Sequence, residues 1–252
     1  MQHRFSRTEI LVGLEGIEKL KNSTVMIFGI GGVGSYTAEA LARAGVGHLI
    51  LVDFDEICLT NINRQLHALT STVGKAKVEV MKERIMEINP KAIVEGIKEF
   101  YSGEAAERML NRPLDYVVDA IDTVTGKVSL IKECLRREIP VISSMGAGNR
   151  ITAENYRVTD ISKTSGDPLA KAVRKLLRKE GIASGVKVVY SSDPPLKPLS
   201  GAADCRNNCI CPGGDAHCAV KKQIPGSISF VPSVVGLLIG GEVTRSLLER
   251  PV

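Results

Sequence analysis

The chain has 252 residues, 44% of them hydrophobic, and its 33 Lys and Arg outnumber 28 Asp and Glu for a formal net charge of +5. That composition excludes a low-complexity or charge-dominated disordered chain, and the length suits one large α/β domain or two small ones. No signal peptide is visible in the polar N-terminal residues, so the expectation is a cytoplasmic protein with reduced thiols.

Residues 1–23 read as a helix, with Ile10, Leu11, Leu14, Ile17 and Leu20 on one stripe. The apolar run 24–28 reads as a buried strand. It leads into Gly29-Ile30-Gly31-Gly32-Val33-Gly34 and then a helix over 35–43. Strand, glycine turn and helix together form the context in which such a turn binds a nucleotide. Gly29 allows the tight turn, Gly31 lets the backbone approach a phosphate, and Gly34 lets helix and strand pack closely. The helix N-terminus adds free N–H groups and partial positive charge. Gly29, Gly31 and Gly32 are the candidate cofactor-binding positions here.

A second strand, 49–52, ends at Asp53. Residues 74–88 read as a helix with Val78, Met81, Ile85 and Ile88 on one face, closed by Asn89-Pro90. A strand over 92–97, a short helix over 103–110, a strand over 116–119, a helix over 124–137 and a strand over 140–143 follow. Short apolar strands alternating with helices predict a parallel sheet covered on both faces. Beyond Gly146 the pattern loosens. Residues 168–179 read as a helix and 186–190 as a strand. Residues 191–225 are rich in Pro, Gly, Asn and Cys, the mark of an irregular functional insertion. A strand over 227–231 is expected, with Pro232 opening a last helix to 248. The apolar stretch 228–241 is broken by Ser229, Pro232, Ser233 and three glycines, and falls short of a membrane span. The expected fold is therefore α/β and Rossmann-like, a mostly parallel sheet with helices on both faces plus an irregular Cys-rich insertion. One domain spans 1–252: a nucleotide-binding core at 1–150, a substrate-facing insertion at 151–225, and a C-terminal strand and helix at 226–252.

Asp53 lies nineteen residues past Gly34, where an acid accepts hydrogen bonds from ribose hydroxyls. That spacing does not separate NAD from ATP. The run that follows does. An NAD-binding oxidoreductase has no need of Asn61-Ile62-Asn63-Arg64-Gln65 and a later Lys77, whereas cleavage of a triphosphate does. Arg64 and Lys77 would neutralise phosphates, Asn61 would fix their orientation, and Asp55 would hold Mg²⁺ through oxygen. Asp122, at another strand end, is expected to converge with Asp53 and Asp55 on one crevice.

Residues 163–187 hold seven cations against two acids, an excess equal to the net charge of the whole chain. In the helix, Lys171, Arg174, Lys175, Arg178 and Lys179 are expected to face outward, away from Leu169, Val173, Leu176 and Leu177. Such a face tracks nucleic-acid phosphates. It also reads as a solvated surface and, less well, as a membrane-surface helix. Cys205, Cys209, Cys211 and Cys218, with His217 adjacent, match the ligand count of a zinc or iron–sulfur site. A redox or sulfur-carrying thiol and a plain cysteine-rich loop are the alternatives, and no metal is assigned.

The ordered set Gly-x-Gly-Gly-Val-Gly, Val-Asp-Phe-Asp, Thr-Asn-Ile-Asn-Arg-Gln, Gly-Lys-Ala-Lys-Val-Glu and Ala-Ile-Asp-Thr resembles the adenylating domain of the ubiquitin-activating-enzyme superfamily, which includes the MoeB and ThiF proteins. The resemblance runs from about residue 4 to 150 and from 226 onward. It implies that Asp53 binds ribose, that Asn61, Arg64 and Lys77 hold the triphosphate, and that Asp122 is the key acid near Mg²⁺. Gln65 belongs to the same cluster. Arg7 matches an arginine that the partner subunit of a homodimer lends to the phosphates. Such enzymes attack the α-phosphate of ATP with a carboxylate, giving an acyl-adenylate and pyrophosphate. Zinc sites of the superfamily join two separated Cys-x-x-Cys pairs, and this chain has no first pair.

Within the superfamily, Asp160-Ile161-Ser162-Lys163-Thr164, Asp167-Pro168-Leu169-Ala170-Lys171, the run 187–191 and Gly-Ser-Ile-Ser-Phe-Val-Pro-Ser at 226–233 resemble the tRNA threonylcarbamoyladenosine dehydratases. That implies a tRNA partner and ATP-driven closure of the threonyl side chain beside the anticodon, and the charge of the helix independently makes Lys171, Arg174, Lys175 and Arg178 the residues expected to hold the tRNA. The alternative is adenylation of a sulfur-carrier protein's C-terminal glycine, with a cysteine desulfurase or sulfur-acceptor system as partner. An NAD oxidoreductase is the third reading.

Overall fold

Seven strands form one sheet in the order β3-β2-β1-β4-β5-β7-β6 in the computed structural model, which describes residues 2–199 and 225–249. The strands are β1 (Thr24–Phe28), β2 (His48–Val52), β3 (Ile93–Ile97), β4 (Tyr116–Asp119), β5 (Val141–Ser144), β6 (Tyr156–Asp160) and β7 (Lys187–Ser191). All run parallel except β6, which pairs antiparallel with β7 at the edge.

Period-two alternation explains how β1 serves two cores. Val25 and Ile27 point into one layer, with Leu49, Leu51 and Val118. Helices α1 (Ser6–Lys21), α2 (Gly34–Ala44), α3 (Lys77–Ile88) and the last helix supply that layer or border it. Met26 and Phe28 point into the other layer, with Ile50, Val117, Met109 and Leu130. There α4 (Gly103–Leu110) and α5 (Val124–Arg136) cover the sheet. A third cluster joins α5 to α6 (Pro168–Lys179) and β7 through Ile131, Val173, Leu177 and Val188.

The sheet grows outward from β1 through β2 to β3, then returns to the other side of β1 with β4. The reversal leaves a crevice at the carboxyl ends of β1 and β4. Register levels those ends: Phe28 pairs with both Val52 and Asp119. Gly29, Asp53 and Ala120, the next residue on each chain, therefore share one edge.

Most expected helices and strands form within three residues of their expected bounds, and the structure adds to or departs from the sequence reading at three places. The apolar stripe of α1 is not buried in this chain. The helix breaks at Gly13, and Ile10, Leu11 and Leu14 are 83%, 74% and 68% exposed, while Leu20 is fully buried. The strand expected over 227–231 does not form. Residues 225–228 have no regular structure, and α7 (Phe230–Leu247) takes Val231 and Pro232 into its first turn. Proline is tolerated there because first-turn N–H groups have no helical acceptor. Val231, Val235 and Ile239 then fall on one buried face. Third, β6 carries no clear strand signal, because its Arg157 and Asp160 suit an edge strand rather than a buried run.

By length and composition α7 is apolar enough to cross a bilayer, and half of it is buried within the protein. It lies against α2 so closely that a Cβ at Gly236 would meet the Val33 carbonyl at 2.4 Å. Its Glu242 holds Lys187 at 2.6 Å and Arg245 at 2.9 Å, and these cations hold the carboxyl below the usual glutamate range against the opposing effect of burial.

Candidate active site

The glycine turn sits where the crevice requires it. Gly29 has φ 88, and a Cβ there would strike the Ala120 carbonyl oxygen at 2.6 Å. At Gly34 a Cβ would lie 1.8 Å from the Gly29 oxygen. Both glycines answer to protein packing. Gly31 does not: its φ is not positive, and a Cβ would meet nothing nearer than Gln65 Nε2 at 3.8 Å. The space above Gly31 is a cradle open to a ligand. No side chain caps the N-terminus of α2, where the Ser35 N–H donates to the Gly31 carbonyl at 3.0 Å.

Asp53 is buried beside this turn. Its Oδ2 accepts the Ile30 N–H at 2.6 Å and its Oδ1 accepts the Asp55 N–H at 2.9 Å. Burial pushes its carboxyl above the usual aspartate range, and the Lys77 ammonium opposes that rise. Each oxygen keeps a lone pair for a ribose hydroxyl. Lys77 is buried at the start of α3, 2.6 Å from Asp55 Oδ2 and 3.9 Å from Asp53 Oδ1. Its charge is thus held by two aspartates, and Asp55 has only its other oxygen to offer a cation.

The turn 59–65 completes this wall. Asn61 Oδ1 accepts the Cys58 N–H at 3.0 Å, which commits it to the turn and leaves its Nδ2 for a ligand. Arg64 Nη1 donates to the Thr60 carbonyl at 2.8 Å and to Asn63 Oδ1 at 2.9 Å. Asn63 Nδ2 in turn donates to the Ser227 carbonyl at 2.9 Å, tying the turn to the segment before α7. Gln65 Oε1 is buried without a hydrogen-bond partner among the described residues, next to the cradle. An orphaned acceptor there fits a ligand hydroxyl or amino group. His67 was not foreseen. It is buried with neither ring nitrogen bonded among the described residues. Burial, reinforced by Lys77 and Arg84, pushes it down to about 3, so the imidazole is neutral.

Asp122 is exposed on the far side of the glycine turn, three residues past the end of β4. It flanks β1 opposite Asp53, since β2 and β4 lie on either side of β1. Among the described residues no three His, Cys, Asp or Glu side chains gather as a preformed metal site. The three aspartates thus border one edge without forming a cage. Behind Asp122 lies a buried Asp119–Lys127–Ser143 group that the sequence reading missed. Its one signal was an acid at a strand end and a lysine eight residues later.

Arg7 lies in the first turn of α1, away from the crevice. Phe5, two residues earlier, packs on Gly45, at the end of α2 opposite the glycine turn. Eleven residues of α2 separate those ends by roughly 16 Å.

On α6, Lys171, Lys175, Arg178 and Lys179 are exposed as expected, but Arg174 is not free. Its guanidinium donates to the carbonyl and the hydroxyl of buried Thr164. That corrects the expectation of five outward cations to four. Asp167 caps α6 through the Ala170 N–H at 2.9 Å and also accepts the Gly146 N–H at 3.0 Å. The basic helix thereby starts at the crevice edge of β5. Cys205, Cys209, Cys211 and Cys218 lie outside the described residues.

The profile of the ThiF family matches residues 5–252. A tRNA threonylcarbamoyladenosine dehydratase from Bacillus subtilis is 52% identical over 250 residues, 99% of this chain and 96% of that protein. The crystal structure of E. coli tRNA N6-threonylcarbamoyladenosine dehydratase, TcdA, in complex with AMP matches at a TM-score of 0.84 and 34% identity, over 98% of this chain and 94% of that one. The complex of the same E. coli protein with ATP matches at a TM-score of 0.83, again at 34% identity.

Proposed function

The chain belongs to the ThiF family, and on that premise we propose that it is an ATP-dependent dehydratase that cyclises threonylcarbamoyladenosine in tRNA. The observation that carries this reading is the 52% identity to the Bacillus subtilis dehydratase along almost the whole of both chains. The substrate carboxylate attacks the α-phosphate of ATP, forming the acyl–phosphate bond and releasing pyrophosphate. A nucleophile within the same side chain then displaces AMP and closes the ring, so the carboxylate oxygen leaves on AMP and the nucleoside has lost water.

This chemistry needs positioning and charge neutralisation more than a base. Asp53 holds the ribose. The α2 N-terminus over Gly31, with Arg64, Asn61 and Lys77, receives the phosphates, and Lys77 exchanges Asp55 for them. Asp122 stands at the α-phosphate. Mg²⁺, held through phosphate oxygens and the carboxylates of Asp55 or Asp122, would supply further neutralisation of the triphosphate. The substrate implies a compartment that holds tRNA, and we assign the cytoplasm.

The deciding experiment measures ATP consumption and nucleoside mass with purified tRNA. ATP should be converted to AMP and pyrophosphate only with tRNA that carries threonylcarbamoyladenosine, and the nucleoside should lose the mass of one water. Consumption driven by a carrier protein with a C-terminal glycine, and not by tRNA, would overturn the reading.

We propose that α6 holds the RNA through Lys171, Lys175 and Arg178. Replacing these three with Gln keeps helix propensity and removes three charges. The slope of log affinity for tRNA against log salt should flatten by about two to three, with ATP affinity unchanged. Turnover should fall at low tRNA and recover at high tRNA, the pattern of lost binding. An unchanged salt slope removes α6 from the RNA-binding surface.

A further inference from the structure

Asp119 and Lys127 form an ion pair that water does not reach. Asp119 is fully buried, Lys127 is 1% exposed, and Nζ lies 3.1 Å from Oδ2. Ser143, on β5, donates its hydroxyl to the same Oδ2, and its Oγ lies 3.5 Å from the ammonium. Stripping two charges of water costs about as much as their attraction returns, and apolar replacements of similar volume are often neutral or stabilising. Stability alone is therefore a poor reason for this pair.

Its location offers a better one. Asp119 ends β4, and its Oδ1 accepts the Ile121 N–H at 3.0 Å. That bond fixes the backbone turn leading into Asp122. The same turn abuts the glycine turn, since a Cβ at Gly29 would lie 2.6 Å from the Ala120 carbonyl oxygen. Lys127 arrives from the start of α5, which Gly126 lets close on Ile121: a Cβ there would fall 3.2 Å from Ile121 Cγ2. One ammonium thus ties β4, β5 and α5 together behind the crevice.

We infer that Asp119 and Lys127, with Ser143, are positioning residues for adenylation: they hold the Ala120–Ile121 turn so that Asp122 keeps its place beside the glycine turn. The pair is buried, so it touches neither ATP nor RNA and acts only through the turn. The inference rests on the proposed role of Asp122 in this reaction.

The test compares the full chain with a charge-free double variant, Asp119→Leu with Lys127→Met, and with Ser143→Ala. Thermal melting, kcat and KM for ATP with threonylcarbamoyladenosine tRNA, and amide hydrogen exchange at residues 120–122 are measured. The double variant should melt close to the parent and show faster exchange at 120–122. Its kcat should fall by about tenfold or more, with KM for ATP changed less than about threefold. In an Asp122→Asn background the same double change should cost less than about threefold more, because the two act through one element. Parental kcat in the folded double variant, or a full second loss beside Asp122→Asn, overturns the inference. If the double variant does not fold, Ser143→Ala decides, and unchanged kcat and exchange there overturn it. If the parent protein itself does not act on this tRNA, the substrate reading fails separately. Amide exchange then decides the inference, and unchanged protection at 120–122 refutes it.

Discussion

Asp122→Ala is expected to lower kcat for tRNA cyclisation by about 10²–10³-fold, the scale seen when one preorganised charge at a reacting centre is removed. The fold should survive. Asp122 is exposed, lies outside β4 and α5, and contributes little packing, so the change in stability should stay within about 0.5 kcal/mol. ATP should still bind, because Asp53, Lys77, Arg64 and the glycine turn belong to the other wall of the crevice. Calorimetry with ATP and a melting curve separate the two effects. Turnover within tenfold of the parent would remove Asp122 from the chemistry.

Arg7→Ala should cause a loss of similar size although Arg7 lies away from its own crevice. Phe5 anchors the start of α1 at the end of α2 remote from the glycine turn. A phosphate contact by Arg7 therefore needs a second copy of the chain, and we propose a homodimer. Ile10 and Leu14 on α1 and Leu237 on α7 are exposed. Of these, Leu237 lines a groove of about 540 Å³ between α1, α2 and α7, together with Thr8, Leu11 and Leu248. Covering this face would bury Leu11 of the outward stripe of α1. Mixing Arg7→Ala with Asp122→Ala subunits tests the arrangement. If Arg7 acts in trans, a randomly exchanged two-fold dimer population regains one working site in half its members, about a quarter of parental turnover. No recovery despite proven exchange means that Arg7 acts in cis or not at all.

Much of the proposed nucleotide wall was legible because its signals are local. A strand, Gly29 to Gly34 and a helix lie within one stretch of chain, and Gly29 and Gly34 have steric reasons that sequence spacing already encodes. Asp53 was legible because a parallel strand delivers its next residue to the carboxyl edge. Asn61, Arg64 and Lys77 were legible as a polar cluster that a dinucleotide-binding oxidoreductase does not need, yet their commitments were not. Nothing in the spacing of Lys77 and Asp55 reveals a 2.6 Å ion pair, and nothing in the helical stripe of α6 reveals that Arg174 turns back to Thr164.

What the sequence determined by itself is most of the elements and their order, β6 and the segment before α7 excepted, since backbone preference and hydrophobic period act over a few residues. It also determined the chemistry available at the crevice, because the strands present those residues at one edge whatever the details of packing. Only the tertiary structure decided which charge meets which. It joined Lys127 to Asp119 and Ser143, left Gln65 Oε1 without a partner beside Gly31, turned Ile10 and Leu14 outward, and drew Val231 into α7 in place of a strand. Such choices depend on where residues far apart in the chain arrive when the layers close, and on the cost of burying a charge or an amide without a partner, which no local pattern records.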